Sequence, residues 1–260
     1  MALVMNEYKL AEDILSGRMP DYNFGESMVL LAKYYKKNGL SKRDIKKRLE
    51  EYALERNGGV AGTNLATMVE YAIKQAMKYD LIVLDEIDIT KTEMDKIASL
   101  KGIQARKLAF TLLCIAKYWD EVSGVAEHWI NSPDTEVINS ACIATSTKKQ
   151  DELFKELYDA GMIDYAKRVD NLHVRVLFAD NNDTAIRVKD LRNLGYQYLS
   201  WVGNRQYFAC ENCGIMVRKA GSDVGRPQKY CKSCAEEVNR IKTLARMRGL
   251  RNNCNSYKGV

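Results

Sequence analysis

Four cysteines in the C-terminal quarter of the chain have the spacing of a metal site. Cys210 and Cys213 form one Cys-x-x-Cys pair, Cys231 and Cys234 form a second, and 17 residues separate the two pairs. This separation lies inside the window of roughly 15–20 residues that is typical of four-thiolate zinc sites. Each two-residue gap lets both sulfurs of a pair face one ion, and two pairs complete the tetrahedron that Zn²⁺ prefers. Because cysteine sulfurs would fill all four positions, we expect one structural zinc ion.

Two disulfides are the alternative use of these cysteines. The first residues, Met1–Glu12, lack a basic stretch followed by an apolar run, so we expect no signal peptide. The longest strongly apolar stretches, Leu81–Leu84 and Leu112–Ala116, are far shorter than the ~20 residues of a membrane-spanning helix. We therefore expect a cytoplasmic protein without a membrane partner, and disulfides are rare in that compartment. Cys114 and Cys142 stand alone among apolar neighbours and are expected to be buried.

The positive charge of the chain is concentrated in the same region as the paired cysteines. The 260 residues carry a formal charge of +6. Residues 201–260 contain twelve basic and four acidic residues, a net +8, which leaves −2 for the first 200 residues. No acidic residue occurs from Val238 to Arg251. Such a segment is typical of a surface that meets a polyanion, and a solvated charged tail is the alternative.

We predict that nucleic acid, and DNA in preference to RNA, contacts this basic region. Each cation that contacts a phosphate releases counterions, so the affinity should fall steeply with salt. The candidate contacts are Arg218, Lys219, Arg226, Lys229, Lys232, Arg240, Lys242, Arg246, Arg248 and Arg251. Five aromatic residues close to them could stack on exposed bases, although core packing is their default interpretation. These are Tyr196, Tyr198, Trp201, Tyr207 and Phe208.

The N-terminal region has the apolar spacing of three helices. Apolar residues recur every three or four positions from Met28 to Tyr35, from Ile45 to Ala53 and from Leu65 to Ala76. Asn38-Gly39 and Asn57-Gly58-Gly59 separate the three segments. We therefore expect a helical domain over residues 1–88, suited to packing or to contacts with a protein partner.

Three acidic residues at the end of that region could do chemistry. Asp85, Glu86 and Asp88 follow an apolar run, as in an ATPase, and could bind Mg²⁺ in a primase-like or nuclease-like enzyme. The chain contains no G-x-x-x-x-G-K-[ST] motif, and alternate residues of a strand face opposite sides. His128 and His173 have no nucleophile or carboxylate at a recognisable catalytic spacing. We assign no catalytic residue and expect no enzyme, with the nucleic-acid enzyme as the alternative.

Residues 89–180 show a different order of elements. Thr90 and Glu93 form a capping box, and the most apolar helix is predicted over Arg106–Trp119. A short helix over Glu136–Ala144 and a longer one from Thr147 to Tyr158 follow. Two strand-like runs then flank Asp170-Asn171, which has the chemistry of a hairpin turn; they are Met162–Val169 and Leu172–Phe178.

This order of helix, short helix, longer helix and hairpin resembles a winged-helix domain. The residues that carry the resemblance are Leu153, Leu157, Gly161 and Ile163, with the wing over Tyr165–Val176. The resemblance implies that the N-terminal end of the longer helix reads base edges while cations on the wing hold phosphates. The implied contacts are Thr147, Lys148, Lys149 and Gln150 on the helix and Lys167, Arg168 and Arg175 on the wing. A winged helix that only packs against protein is the alternative.

Residues 181–260 complete the predicted architecture. The two cysteine pairs and their neighbours resemble a zinc ribbon or treble-clef finger, followed by a basic helix over Ala235–Met247. We therefore expect a mainly α (α+β) fold with three domains, residues 1–88, 89–180 and 181–260. A finger after a winged helix resembles replication or regulatory DNA-binding proteins of bacteriophages and mobile elements, which implies control of replication or transcription. An inhibitor of a host nucleoprotein complex is a further alternative, and the sequence predicts no oligomeric state.

Overall fold

The computed structural model describes residues 3–18, 22–57, 63–166, 173–220 and 227–256. Helices predominate and the strands form small sheets, so the expected mixed α+β class is confirmed at that level. The chain divides into two compact units. The first is Met1–Ile87 with Glu121–Val125, and the second is Asp88–Asp120 with Ala126–Val260. Within the described ranges, no helix combines the length and apolar composition needed to cross a membrane.

The described residues of the first unit form a bundle of four helices, one more than the apolar spacing predicts. They are α1 (Glu7–Leu15), α2 (Phe24–Lys37), α3 (Lys42–Asn57) and α4 (Thr63–Lys78). The three predicted helices are present as α2, α3 and α4, and their fully buried residues include Leu31, Leu49 and Ala72. The helix α1 was not predicted. It begins where the Asn6 side-chain oxygen accepts a hydrogen bond of 2.8 Å from the backbone N–H of Lys9.

The apolar segment before the acidic residues is a connection and not the central strand of an ATPase. Val83 forms an isolated antiparallel bridge with Asn6. The backbone N–H of Glu7 donates to the Ile82 carbonyl at 2.9 Å, and that of Leu84 donates to the Met5 carbonyl at 2.8 Å. The segment therefore pairs with the N-terminal residues of its own unit.

The remaining elements run from β1 to α10. They are β1 (Ile87–Thr90), α5 (Lys91–Ser99), α6 (Ile103–Ser123), β2 (Trp129–Asn131), α7 (Asp134–Ser140), α8 (Thr147–Asp159), β3 (Ile163–Tyr165), β4 (His173–Val176), β5 (Thr184–Val188), α9 (Leu194–Trp201), β6 (Tyr207–Ala209), β7 (Met216–Arg218) and α10 (Lys232–Ser256). The central helix α6 is buried on every side, since each residue from Lys107 to Tyr118 is buried. The capping box at α5 is confirmed: the Glu93 N–H donates to Thr90 Oγ1 at 3.2 Å, and the Thr90 N–H donates to Glu93 Oε2 at 2.7 Å.

A three-stranded antiparallel sheet follows the order β2-β4-β3. Ile130 lies opposite Val174, and Ile163 lies opposite Val176. The predicted hairpin is thus present as β3 and β4, although the residues between Ala166 and His173 lie outside the described part of the chain. The sheet also contains β2, which the sequence did not predict because three residues are too few to show a two-residue alternation.

Helix α9 packs closely against the connection after α7. Tyr198 is buried, with its ring centroid 5.6 Å from that of Phe110 in α6. At Gly195 a Cβ atom would overlap the carbonyl oxygen of Ala141 and lie 2.5 Å from its carbonyl carbon. Because glycine has no Cβ atom, the backbone of α9 at Gly195 can lie against the Ala141 carbonyl.

We expect Gly195→Ala to lower the free energy of unfolding by about 3 kcal/mol, near the upper part of the usual range for overpacking. The added carbon meets backbone, which cannot rotate away as a side chain can. Urea unfolding followed by circular dichroism would measure the change. Gly102→Ala is the matched control, because its Cβ would lie no closer than 3.8 Å to any neighbour. Equal effects of the two substitutions would contradict the packing argument.

Candidate metal centre and nucleic-acid interface

The four paired cysteines converge on one point. The sulfurs of Cys210, Cys213, Cys231 and Cys234 all lie within 4.8 Å of one another, and none of them is in a disulfide. The Cys213 and Cys231 sulfurs are 3.8 Å apart. A tetrahedral zinc ion with Zn–S bonds of about 2.3 Å has sulfurs about 3.8 Å apart. The geometry is therefore compatible with a zinc site, as the spacing predicts.

The first cysteine pair lies on the turn between β6 and β7. Phe208 pairs with Val217 in this hairpin, and the Cys210 N–H donates to the Ile215 carbonyl at 2.9 Å. The chain reverses at Gly214, whose φ of +74° belongs to the left-handed region and whose N–H donates to the Cys210 carbonyl at 2.9 Å. Both sulfurs of the pair are thereby turned to the same side.

The second cysteine pair lies at the start of α10. The Ala235 N–H donates to the Cys231 carbonyl at 2.9 Å, so the helical turn begins within the pair. Backbone and side-chain donors also face the sulfurs: the Cys231 N–H lies 3.3 Å from Cys210 Sγ, and Asn212 Nδ2 lies 3.3 Å from Cys234 Sγ. Such donors are the outer partners that stabilise thiolates in a metal site.

The cysteine thiols differ widely in acidity. Burial alone would raise the pKa of Cys210, but backbone N–H groups, including those of Cys213 and Cys231, lower this pKa to about 6. Burial and the neighbouring cysteine thiols raise the pKa of Cys213 to about 12. Burial is also the largest cause of the raised pKa of Cys234. Binding of a cation to all four sulfurs would therefore release protons.

The finger, defined as residues 207–235, is attached to α9 through two polar side chains. Arg192 Nη2 donates to the Cys213 carbonyl at 2.7 Å and is paired with Asp190 Oδ2 at 2.6 Å. Asn193, which precedes α9 with a φ of 53°, donates from Nδ2 to the Met216 carbonyl at 2.9 Å. The Tyr196 ring of α9 lies against the Tyr207 ring of β6, with centroids 4.8 Å apart. No sequence pattern indicated these contacts, because they join residues between 11 and 23 positions apart without a repeating spacing.

Helix α10 is longer than predicted, and its middle part is exposed. Each residue from Asn239 to Met247 is exposed, including the predicted contacts Arg240, Lys242 and Arg246. Two apolar residues of this helix do not enter the core, since Ile241 is 55% exposed and Leu244 46%. Arg248 and Arg251 lie on the same helix.

The other predicted contacts are placed on several elements. Thr147, Lys148 and Lys149 are exposed at the start of α8, and the partly buried Gln150 donates from Nε2 to the Thr145 carbonyl at 3.1 Å. Arg218 and Lys232 are exposed, and Lys219 is partly buried. Lys149 pairs with Glu152, Lys229 pairs with Glu211, Arg175 donates to the Glu127 carbonyl, and Arg218 donates to Gln206 Oε1 at 3.5 Å. Lys167, Arg168 and Arg226 lie outside the described residues.

The residues considered for catalysis do not assemble into a metal site. Among the described residues, the four cysteines are the only group of three or more Cys, His, Asp and Glu side chains close enough to hold a metal ion. His128 Nδ1 faces Asp120 Oδ2 at 2.5 Å, a carboxylate partner eight residues away that the sequence did not indicate. Cys114 is buried as expected. Cys142 is only partly buried, because it lies in a left-handed turn whose carbonyl accepts a hydrogen bond from Lys107.

Comparisons of the chain with protein-family models, with curated proteins and with solved structures return no match. A functional assignment therefore depends on the geometry and charge of the residues described above.

Proposed function

We propose that this chain is a DNA-binding protein in which a zinc-stabilised finger presents a basic helix to the phosphate backbone. The observation that carries the proposal is the position of the cysteine cluster: Cys234 lies in the first turn of α10 and Cys231 directly precedes the helix. A structural zinc ion bound there fixes the start of this helix against the finger.

The charge of α10 supports a polyanion as its partner. Five basic residues and no acidic residue lie between Val238 and Arg251. Arg240 pairs with Glu237 one turn earlier, but both side chains are exposed, so this pair gives little stability and can open to a phosphate. Exposed cations on a helix with few contacts to the rest of the chain suit phosphate binding better than core packing.

The order of elements from α6 to β4 supports a winged helix as the second part of the interface. A long helix, a short helix and the longer α8 precede the β3–β4 hairpin, and β2 completes the sheet. Helix α8 corresponds to the recognition helix of such a domain. It carries three lysines and four acidic residues, so it contributes little net attraction to phosphates. We therefore propose that α8 selects the site through Thr147, Lys148 and Gln150, whereas the finger and α10 provide the affinity.

The proposed role is control of replication or transcription in a phage or mobile element. It is based on the combination of a winged helix with a four-cysteine finger.

We expect the binding constant for duplex DNA to fall with salt along a log–log slope of about −4.5 if all five cations of α10 contact phosphates. Replacing Lys242 and Arg246 by Gln should make this slope less negative by about 1.8, because two fewer phosphate contacts release counterions. Fluorescence anisotropy with a labelled duplex at several salt concentrations would measure both slopes.

The matched control replaces two exposed lysines of α3, Lys42 and Lys46, by Gln. This variant has the same net charge as the α10 variant but keeps the proposed interface. An unchanged slope is expected for it. If the salt-dependence slope changes equally in the α3 variant and the α10 variant, α10 is not the phosphate-binding element. A flat salt response of the unmodified protein would exclude counterion release altogether.

A further inference from the structure

The aromatic residues near the finger differ in their exposure to solvent. Tyr198 is 1% exposed and belongs to the core, and Tyr196 and Tyr207 pack against each other while partly buried. Trp201 differs from them, because 51% of its surface remains exposed. Neither of the other two tryptophans, Trp119 and Trp129, is exposed to this degree.

The position of Trp201 is fixed by the helix that carries it. Trp201 is the last residue of α9, whose inner face is held by the close approach at Gly195 and by Tyr198. The turn after it is closed by hydrogen bonds from the Gly203 N–H to the Ser200 carbonyl and from the Asn204 N–H to the Leu199 carbonyl. An exposed indole on such an ordered element loses little conformational entropy when a ligand stacks on it.

Two exposed cationic residues lie C-terminal to Trp201, in the turn before β6 and in the β6–β7 hairpin that packs against α9. Arg205 is exposed in the turn that leads into β6, and the Lys219 N–H donates to the Gln206 carbonyl at 2.8 Å at the open end of the hairpin. Arg218, also exposed, lies opposite Tyr207 in the same hairpin. An apolar aromatic surface next to cations is complementary to a nucleic-acid strand, which carries flat bases on an anionic backbone.

We propose that Trp201 is a stacking site for an unpaired nucleobase, and that Arg205 and Arg218 hold the phosphates of the same strand. This inference rests on the proposed nucleic-acid binding and adds a preference for single-stranded or locally opened DNA. Paired bases within a duplex are stacked on their neighbours, so only an unpaired base offers its face to the indole.

The test uses the full zinc-loaded chain and two probes, an oligothymidine strand and a duplex of mixed sequence with the same length. Tryptophan emission should be quenched when oligothymidine binds and much less when the duplex binds. Trp201→Phe removes the contribution of Trp201 to this emission, keeps those of Trp119 and Trp129, and preserves an aromatic ring at position 201. The quenching should therefore disappear while binding persists. Trp201→Ala should weaken oligothymidine binding about fivefold or more, the contribution of one stacked base, and leave duplex affinity within about twofold.

Two control variants separate stacking from general surface effects. Val202→Ala truncates the adjacent side chain, which is 52% exposed but not aromatic, and Tyr71→Ala removes an equally exposed aromatic from α4. Both should bind oligothymidine like the unmodified protein. Zinc content and circular dichroism of each variant would verify that the finger is intact.

The possible outcomes distinguish this inference from the function on which it rests. If the unmodified protein binds neither probe, the proposed function fails. If both probes bind but Trp201→Ala changes neither affinity, or if oligothymidine leaves the emission of Trp201 unchanged, the stacking site is excluded while DNA binding stands. An equal loss of affinity for both probes would also overturn the stacking site.

Discussion

Replacing Cys231 and Cys234 by Ser should abolish zinc binding and unfold the finger together with the start of α10. The two substitutions remove half of a ligand set whose sulfurs lie within 4.8 Å of one another. Structural zinc contributes roughly 10–16 kcal/mol of apparent binding free energy in isolated finger peptides at neutral pH, far more than a small hairpin gains from its own packing. DNA affinity should fall with the metal, because α10 would no longer be held against the hairpin.

Metal analysis after exhaustive dialysis would measure this effect. The unmodified chain is expected to retain one zinc ion and the double variant close to none, with a loss of helical signal in circular dichroism. Cys142→Ser is the matched control, since Cys142 lies in the turn after α7 and outside the cluster. A double variant that keeps the finger folded without metal would refute a structural zinc ion.

A large loss of folding stability is expected when a buried ion pair is broken. This pair lies in the second compact unit, outside the finger. Lys117 Nζ lies 2.7 Å from Glu93 Oε1 and also donates to the carbonyls of Asp88 and Asp180, each at 2.9 Å. Glu93 is completely buried and accepts a further hydrogen bond of 2.7 Å from the Asp180 N–H. Lys117→Met leaves this carboxylate without its cation, so the free energy of unfolding should fall by about 3–5 kcal/mol.

Chemical denaturation of the Lys117→Met variant would measure that loss. Lys149→Met is the control, because Lys149 also pairs with a glutamate, Glu152, but both side chains are about half exposed. No measurable change is expected there, since exposed ion pairs contribute little. A Lys117→Met variant as stable as the unmodified chain would show that the network is not needed for folding.

The sequence predicts the secondary-structure elements that have a local pattern, either a repeated apolar spacing or a capping motif. Helices α2, α3 and α4 show an apolar residue at every third or fourth position, and Thr90 with Glu93 encodes the start of α5 within four residues. By contrast, β2 has three residues and pairs with β4 more than 40 positions later. Its existence depends on the tertiary fold, because so short a strand has no periodicity of its own.

In the candidate site, too, some features follow from a local sequence pattern and others depend on tertiary contacts. The cysteine spacing predicts which four residues converge, because the chemistry of zinc restricts both residue type and distance along the chain. The attachment of the finger was not predictable. Arg192 and Asn193 donate hydrogen bonds to backbone carbonyls of the hairpin. Since every residue has such a carbonyl, the sequence does not indicate which one accepts the hydrogen bond. The exposure of Trp201 likewise depends on how α9 ends and not on its composition.

The length of α10 has a mechanical consequence. Its 25 residues extend about 37 Å at 1.5 Å per residue, close to the length of one turn of duplex DNA. Because the cysteine cluster includes only the start of the helix, a change at this cluster would be amplified toward the far end of α10. A tilt of about 10° at the cysteine cluster would move the far end by roughly 6 Å, more than the ~3.4 Å axial spacing of phosphates on one strand. If α10 binds DNA as proposed, small adjustments around the four sulfurs would decide which phosphates the far end of the helix can reach.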